Sequence, residues 1–317
     1  MRVIDKPGIY DLSREEYDAD PCVTPSLSAS IAKLILDRSP AHARLAHPRL
    51  NPAFERTAER KFDQGNACHA LLLGEADKIV TIAADDFRTK AAKEARDAAI
   101  AAGKLPMLEH HFESVLAMAN EARAQLARHE EAAGVFDPAH GKGERTLVWQ
   151  QDDTWCRARP DWMPNSGNIC WDYKTTAASA NPDSWVRTLY SVGGDIQPAF
   201  YLRGLRAVTG KEWHWRWVVQ EDEPPYALSV IAPAPSMLAL AEMKVERALD
   251  YWRWCLKHNR WPGYPKDTAY IDAPPWEESK VVAIKDREIM EAEAGRDLLA
   301  RLTDWQAPFD WKKGEAA

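Results

Sequence analysis

The sequence predicts an α/β fold, and three features predict it. Residues 154–159 and 169–173 are short stretches of strand character, one with a rough period of two and one a compact apolar run. Residues 212–220 alternate Trp213, Trp215 and Trp217 with His214 and Arg216, which is the period of a strand. Residues 28–37 and 236–258 instead repeat apolar side chains at helical spacing, so helices flank the strands along the chain.

With 317 residues the chain is long enough to bury a substantial core. Neither an internal repeat nor a low-complexity linker divides it, so one elaborated domain is expected over two. A net charge of −7 argues against holding nucleic acid by bulk positive charge but leaves room for a local basic groove. The five cysteines are scattered and form no C-x-x-C pair, which weakens zinc and iron–sulfur readings and favours reduced thiols. No basic start leads into an apolar core, and no apolar run approaches membrane-spanning length. The expectation is a cytoplasmic protein with no membrane contact.

Taken in order, residues 7–13 read as a short strand or extended arm. Ser13 followed by Glu16 has the spacing of a capping box and predicts a helix start. Ser28 opens the amphipathic helix carrying Ile31, Leu34 and Ile35, and Ser39-Pro40 is expected to halt it. Residues 51–57 are polar and irregular. Residues 62–73 form an apolar helical run in which Gly65 and Ala67 are small and His69 stands alone. Residues 87–133 read as mostly helical, broken at Gly103-Lys104-Leu105-Pro106. The basic side chains Arg88 and Lys90 open that region, and they suit either a solvated helix face or a mobile segment over DNA. Residues 144–149 open the sheet. A helix is expected from Asn181-Pro182-Asp183, and another carries Gln197 and Tyr201, four apart and so on one face. Residues 226–232 predict a strand, 236–258 a long helix capped by Ser236, 277–302 a further charged helix, and the last dozen residues loose order.

The chemistry concentrates in Asp161 and Asp172-x-Lys174. With Asn165, Ser166 and Gly167 as turn residues, 154–159 and 169–173 read as a β-hairpin with a longer loop. Positions i and i+2 of a strand share a face, so Asp172 and Lys174 do, and Asp161 can lie beside them at the end of the neighbouring strand. Buried acids without enough cationic partners usually hold a metal ion. A nearby ammonium suits a reaction that must deprotonate water or steady a developing anion. Asp-x-Lys alone is a common tripeptide, and its context is what gives it weight. His69 joins the acids as a metal-ligand candidate. Glu144 stays open between a further acidic ligand, a group behind the ligands and a plain surface glutamate. Phosphodiester hydrolysis is the reaction these residue types point to.

The series Gly65-x-Ala67-x-His69, Glu144, Arg159-Pro160-Asp161, Asp172-x-Lys174-Thr175 and Gln197-x-x-x-Tyr201 resembles the PD-(D/E)XK nuclease superfamily in its RecB-like branch. It is similar in particular to the RecE-type exonucleases (exodeoxyribonuclease VIII) of phages and prophages, as are residues 7–17 and 28–31. The resemblance covers about residues 7–265, and implies a nuclease domain over 1–265 with an N-terminal helical elaboration and a C-terminal extension over 266–317. It implies a central mixed β-sheet flanked by helices, and Mg²⁺ or Mn²⁺ as cofactor. His69, Asp161 and Asp172, with the Tyr173 carbonyl, would hold the ion. Lys174 would orient or deprotonate water, and Gln197 and Tyr201 would support the phosphate or the lysine. The implied activity is 5′ to 3′ resection of linear double-stranded DNA, by a ring-shaped homo-oligomer working with a phage-type single-strand annealing protein of the RecT kind. Arg157, Arg159, Arg187 and Arg203 would line the DNA path. A single-strand or endonucleolytic nuclease, or a non-catalytic DNA-binding subunit of the same fold, are the alternatives.

Overall fold

The computed structural model describes residues 3–54 and 64–296, with the backbone of 309–310 and 315–316. The chain divides into two compact units, Met1–Tyr264 and Pro265–Ala317. In the second, helix Pro275–Glu293 has no buried residue, and Phe309–Asp310 pairs antiparallel with Glu315–Ala316. The expectations for Phe62, Asp63, residues 55–57 and most of 297–317 fall outside the described residues.

The first unit is built on two main sheets, with a further two-stranded one beside them in the sequence. Strands β1 (Gly8–Tyr10), β5 (Thr146–Gln151) and β6 (Thr154–Ala158) form an antiparallel sheet in the order β1-β5-β6. Strands β4 (Gly141–Gly143), β7 (Trp162–Pro164), β8 (Ile169–Thr176), β9 (His214–Glu221) and β10 (Leu228–Ile231) form the larger one, in the order β10-β9-β8-β7-β4. The β8/β9 pair is parallel and the other pairs antiparallel, so this sheet is mixed. The expected hairpin is therefore corrected. Residues 154–158 pair with 146–151, and the partner of β8 is β7, which begins after Pro160 breaks the strand. A two-residue turn at Asp152-Asp153, with Asp152 left-handed at φ 53°, joins β5 to β6 locally.

The helices are α1 (Arg14–Asp18), α2 (Ala29–Asp37), α3 (Pro40–Ala46), α4 (Gln64–Leu72), α5 (Lys90–Ala101), α6 (Glu109–Ala127), α7 (Pro182–Ser191), α8 (Ile196–Thr209) and α9 (Pro235–His258). Ser13 caps α1 through a capping box, Ser28 caps α2 and Asn181 caps α7, as the sequence predicts. Ser39-Pro40 begins a helix rather than only ending one: the Ser39 hydroxyl accepts the His42 N–H and Pro40 takes the first turn, where a missing N–H costs nothing. The cap position of α9 is Ala234 rather than Ser236, with Pro235 leading the helix. The break expected at residues 103–106 runs into strand β3 (Leu105–Leu108), parallel to β2 (Ile79–Ile82) with α5 as the crossover, so Leu108 ends a strand rather than opening the next helix.

The period of two in β8 and β9 sorts their side chains onto two cores. Cys170, Trp215, Trp217 and Val219 pack with α2, α8 and α9, while Trp171, Tyr173 and Val218 pack with α4 and α6. The alternating tryptophans are core residues, Trp215 and Trp217 each being 1% exposed. Gly204 on α8 is where helix and sheet come closest: a Cβ there would lie 2.6 Å from the buried ring of Trp149. Gly204→Ala is expected to lower the melting temperature, because overpacking costs about 1–3 kcal/mol against about 1 kcal/mol gained in helix propensity. Thermal denaturation followed by circular dichroism checks this, and an unchanged or raised midpoint contradicts it.

Candidate active site

The site lies where β7 and β8 part. Trp162 is paired with Trp171, and two residues further along β8 the Tyr173 N–H donates to Asp161 Oδ2 at 2.8 Å. A carboxylate thus stands where the next strand's carbonyl would be. Asp161 is aimed there by Arg159-Pro160, which end β6, and its own carbonyl accepts the Glu144 N–H at 3.2 Å. Glu144 sits between β4 and β5 in the left-handed region, φ 57°, a conformation uncommon outside glycine and asparagine.

Helix α4 delivers His69 from the other side. Its Nε2 lies 3.3 Å from Asp161 Oδ2 and 3.7 Å from Glu144 Oε1. One ligand atom from each of His69, Glu144 and Asp161 lies within 4.8 Å of the others. Asp172, fully buried, comes from β8: Oδ1 accepts the Gln197 side-chain N–H at 2.7 Å, and Lys174 Nζ sits against Oδ2. Oδ2 thus has the Lys174 ammonium as its ion partner and makes no other side-chain contact of that kind among the described residues. The imidazole of His69 with the carboxylates of Glu144 and Asp161 fits a hard divalent cation with some tolerance for nitrogen, and buried Asp172 lies close enough to Asp161 to feel its charge.

The electrostatics separate the acids. Burial would raise Asp161, yet His69, Lys174 and the Tyr173 N–H outweigh it and hold the carboxyl at about 2. Burial dominates at Asp172 and, despite Lys174 and Gln197, pushes it up to about 7. Burial would lower Lys174, but Asp172 and Asp161 more than offset this and hold its ammonium above the ordinary range. His69 is likewise raised, burial being outweighed by Asp161 and Glu144. Lys174 is therefore charged at neutral pH and suited to orient water or steady an anion rather than to take a proton.

Of the sequence candidates, the fold brings His69, Glu144, Asp161, Asp172, Tyr173, Lys174 and Gln197 together. Tyr201 is 9% exposed, edge-on to Trp215 at 5.4 Å, and burial lifts its phenol well above the ordinary range. The basic residues divide. Arg157 is turned inward onto the Ser26 carbonyl at 2.9 Å and Asp20 at 3.3 Å. Arg159 is buried against Glu144 and donates to the Leu12 carbonyl at 2.8 Å. Arg203 pairs with Glu242 and with Glu246, the latter at 2.7 Å. Arg157 and Arg159 do not face solvent as a DNA-lining role requires, because each neutralises an internal acid, whereas half-buried Arg203 is taken up by two acids of the α9 surface. Arg187, Arg88 and Lys90 are exposed.

Two supporting residues went unrecognised in the sequence. The Tyr173 hydroxyl donates to Gln220 Oε1 at 2.6 Å and lies 3.1 Å from Cys68 Sγ, tying β8 to β9 and to the residue before His69. A glutamine within the apolar run of β9 was the available signal for the first. Cys68 had none.

No curated protein matches the chain. The fold is similar to the crystal structure of a "Putative exonuclease" from Eubacterium rectale, at TM-score 0.51 and 17% identity, covering 83% of this chain and 100% of that one. At that identity the likeness speaks for the fold, a PD-(D/E)XK core of mixed sheet and flanking helices. No described helix is long and apolar enough to cross a membrane. A family model, described as a PDDEXK-like domain of unknown function, matches residues 28–274, most of the chain, and so the protein belongs to that family (DUF3799).

Proposed function

We propose that this chain is a Mg²⁺- or Mn²⁺-dependent exodeoxyribonuclease that resects linear double-stranded DNA 5′ to 3′ and leaves 3′ single-stranded tails for recombination. The observation that carries the reading is the cluster of His69, Glu144 and Asp161, with the ion pair of Lys174 and buried Asp172 close to Asp161. Polarity, duplex preference and a place in phage-type recombination come from the resemblance to RecE-type exonucleases. So do a homo-oligomeric ring and a single-strand annealing partner.

His69, Asp161, Glu144 and Asp172 would hold the ion. A divalent ion bound there supplies a Lewis acid that lowers the pKa of water and offsets charge on the phosphoryl group and leaving oxygen. The chain's residues do the rest. Gln197 fixes Asp172 through Oδ1, leaving Oδ2 toward Lys174. The Lys174 ammonium, 39% exposed and so able to reach substrate, orients the attacking water by donating to it and steadies the charge that builds on phosphate. The Tyr173 N–H keeps Asp161 in place. Arg187, Arg88 and Lys90 are the exposed cations left to meet the DNA backbone.

The test is linear duplex labelled at either the 5′ or the 3′ terminus, alongside closed circular duplex, with Mg²⁺. The 5′ label is expected to be lost first and the circle to stay intact. Lys174→Ala is expected to slow the reaction about 10²–10³-fold. Cutting of the circle, or full activity in Lys174→Ala, contradicts the reading.

A further inference from the structure

We infer that Arg159 is a positioning residue that holds Glu144 by one oxygen and, as a fixed cation inside the acidic centre, limits that centre to a single divalent ion. The inference rests on the metal-dependent reading above. The Arg159 side chain is 7% exposed and that of Glu144 13%. Its Nε engages Glu144 Oε2, while Nη1 donates to the Leu12 carbonyl at 2.8 Å and to Thr146 Oγ1 at 3.4 Å. Its guanidinium carbon lies 5.9 Å from the centre of the Tyr17 ring. The N-terminal arm and β5 thus hold the guanidinium from several directions, and it cannot swing to solvent.

Glu144 is fixed from both ends. Its left-handed backbone is pinned by the N–H to Asp161, and its Oε2 is taken by Arg159. Only Oε1 is presented toward His69, 3.7 Å away. The charges then decide how many ions fit. Glu144, Asp161 and Asp172 are three carboxylates, and Arg159 and Lys174 are two cations paired with two of them. One net negative charge remains, with His69 neutral as a metal ligand must be. One divalent ion reverses that balance to a single positive charge. A second would leave three in a largely buried site, where unbalanced charge is most costly.

The test is a titration of the full-length chain with Mn²⁺ in the absence of DNA, free ion being counted by electron paramagnetic resonance. The wild type is expected to bind one Mn²⁺ per chain, and two would overturn the inference. Arg159→Gln is expected to take up a second Mn²⁺, and Arg159→Lys, which keeps the charge, to stay at one. An Arg159→Gln variant that is folded and still binds only one ion overturns the inference. Should Arg159→Gln not fold, the double variant Glu144→Gln/Arg159→Gln removes both charges together. It is expected to bind one Mn²⁺ about ten-fold more weakly, since an oxygen ligand is lost while the charge balance is kept. Unchanged affinity there overturns the role given to Glu144. A folded wild type that degrades DNA with two ions bound sinks this inference alone, whereas one that binds no ion sinks the metal-dependent reading with it.

Discussion

Asp172→Asn is expected to lose DNA degradation while, with divalent ions removed by a chelator, melting at a higher temperature than the wild type. Asp172 is fully buried, and burial is the largest influence on it, raising its pKa from 3.8 to about 7. At pH 8 the native state must carry that charge in a medium that resists it. The amide keeps the side-chain shape and can still accept from Gln197. Lys174, 39% exposed, can turn to water when its partner is gone. The favourable Lys174 pair is already contained in that net upward shift, so removing the buried charge is expected to raise stability by on the order of 1–2 kcal/mol. Differential scanning calorimetry in chelator at pH 8 checks this, and a lowered midpoint contradicts it.

The same shift sets a pH dependence. Because the folded pKa of Asp172 is raised, the native state binds a proton that the unfolded chain releases between about 4 and 7. Its contribution to stability is present at low pH and lost as pH rises through about 7. His69, also raised, contributes in the same direction: fully below its ordinary value of 6.5, and lost as pH rises through its folded pKa. Asp161, held at about 2, contributes above the ordinary carboxylate range and loses that only in strong acid. The chelated protein should therefore melt lower at pH 8 than at pH 5.5, and Asp172→Asn should flatten the slope.

Asp20→Ala is expected to cost the fold about 3–5 kcal/mol. Asp20 is wholly buried with a left-handed backbone, φ 59°. Its carboxylate accepts from the Ser26 N–H at 2.9 Å and hydroxyl at 2.6 Å, and lies 3.3 Å from both His47 Nε2 and Arg157 Nη1. Burial would raise it, but His47, Arg157 and Ser26 together hold it below its ordinary range. Without it, Arg157, 4% exposed and 5.4 Å from the Tyr17 ring, is a buried charge with no counter-ion. Urea denaturation measures the loss, and Asp20→Ala/Arg157→Met should recover part of it. A cost under 1 kcal/mol contradicts the network's role.

The sequence showed those parts of the fold whose cause is local. Ser13, Ser28 and Asn181 announce helix starts because a side-chain oxygen and the following turn suffice. Alternation shows β9 because its burial repeats every second residue. Strand partners are not local, so residues 154–158 could be read as a strand but not assigned to β5. Leu105-Pro106 read as a helix break because glycine and proline interrupt helices, and only the pairing with Ile79 and Val80 shows a strand there. The acids, histidine and lysine of the site were visible as residue types in a known order. The direction of an arginine was not. Arg157 and Arg159 turn inward because Asp20 and Glu144, distant in sequence, wait for them, and Arg203 is held along α9 by Glu242 and Glu246.

The most direct measurement is a crystal of the wild-type chain grown or soaked with Mn²⁺ and recorded at a wavelength where manganese scatters anomalously. A peak is predicted within about 2.0–2.4 Å of ligand atoms from His69, Asp161 and a neighbouring carboxylate, with Lys174 Nζ directed at the space beside it. A structure in which the same crystals carry manganese elsewhere, and none among these side chains, would contradict the account.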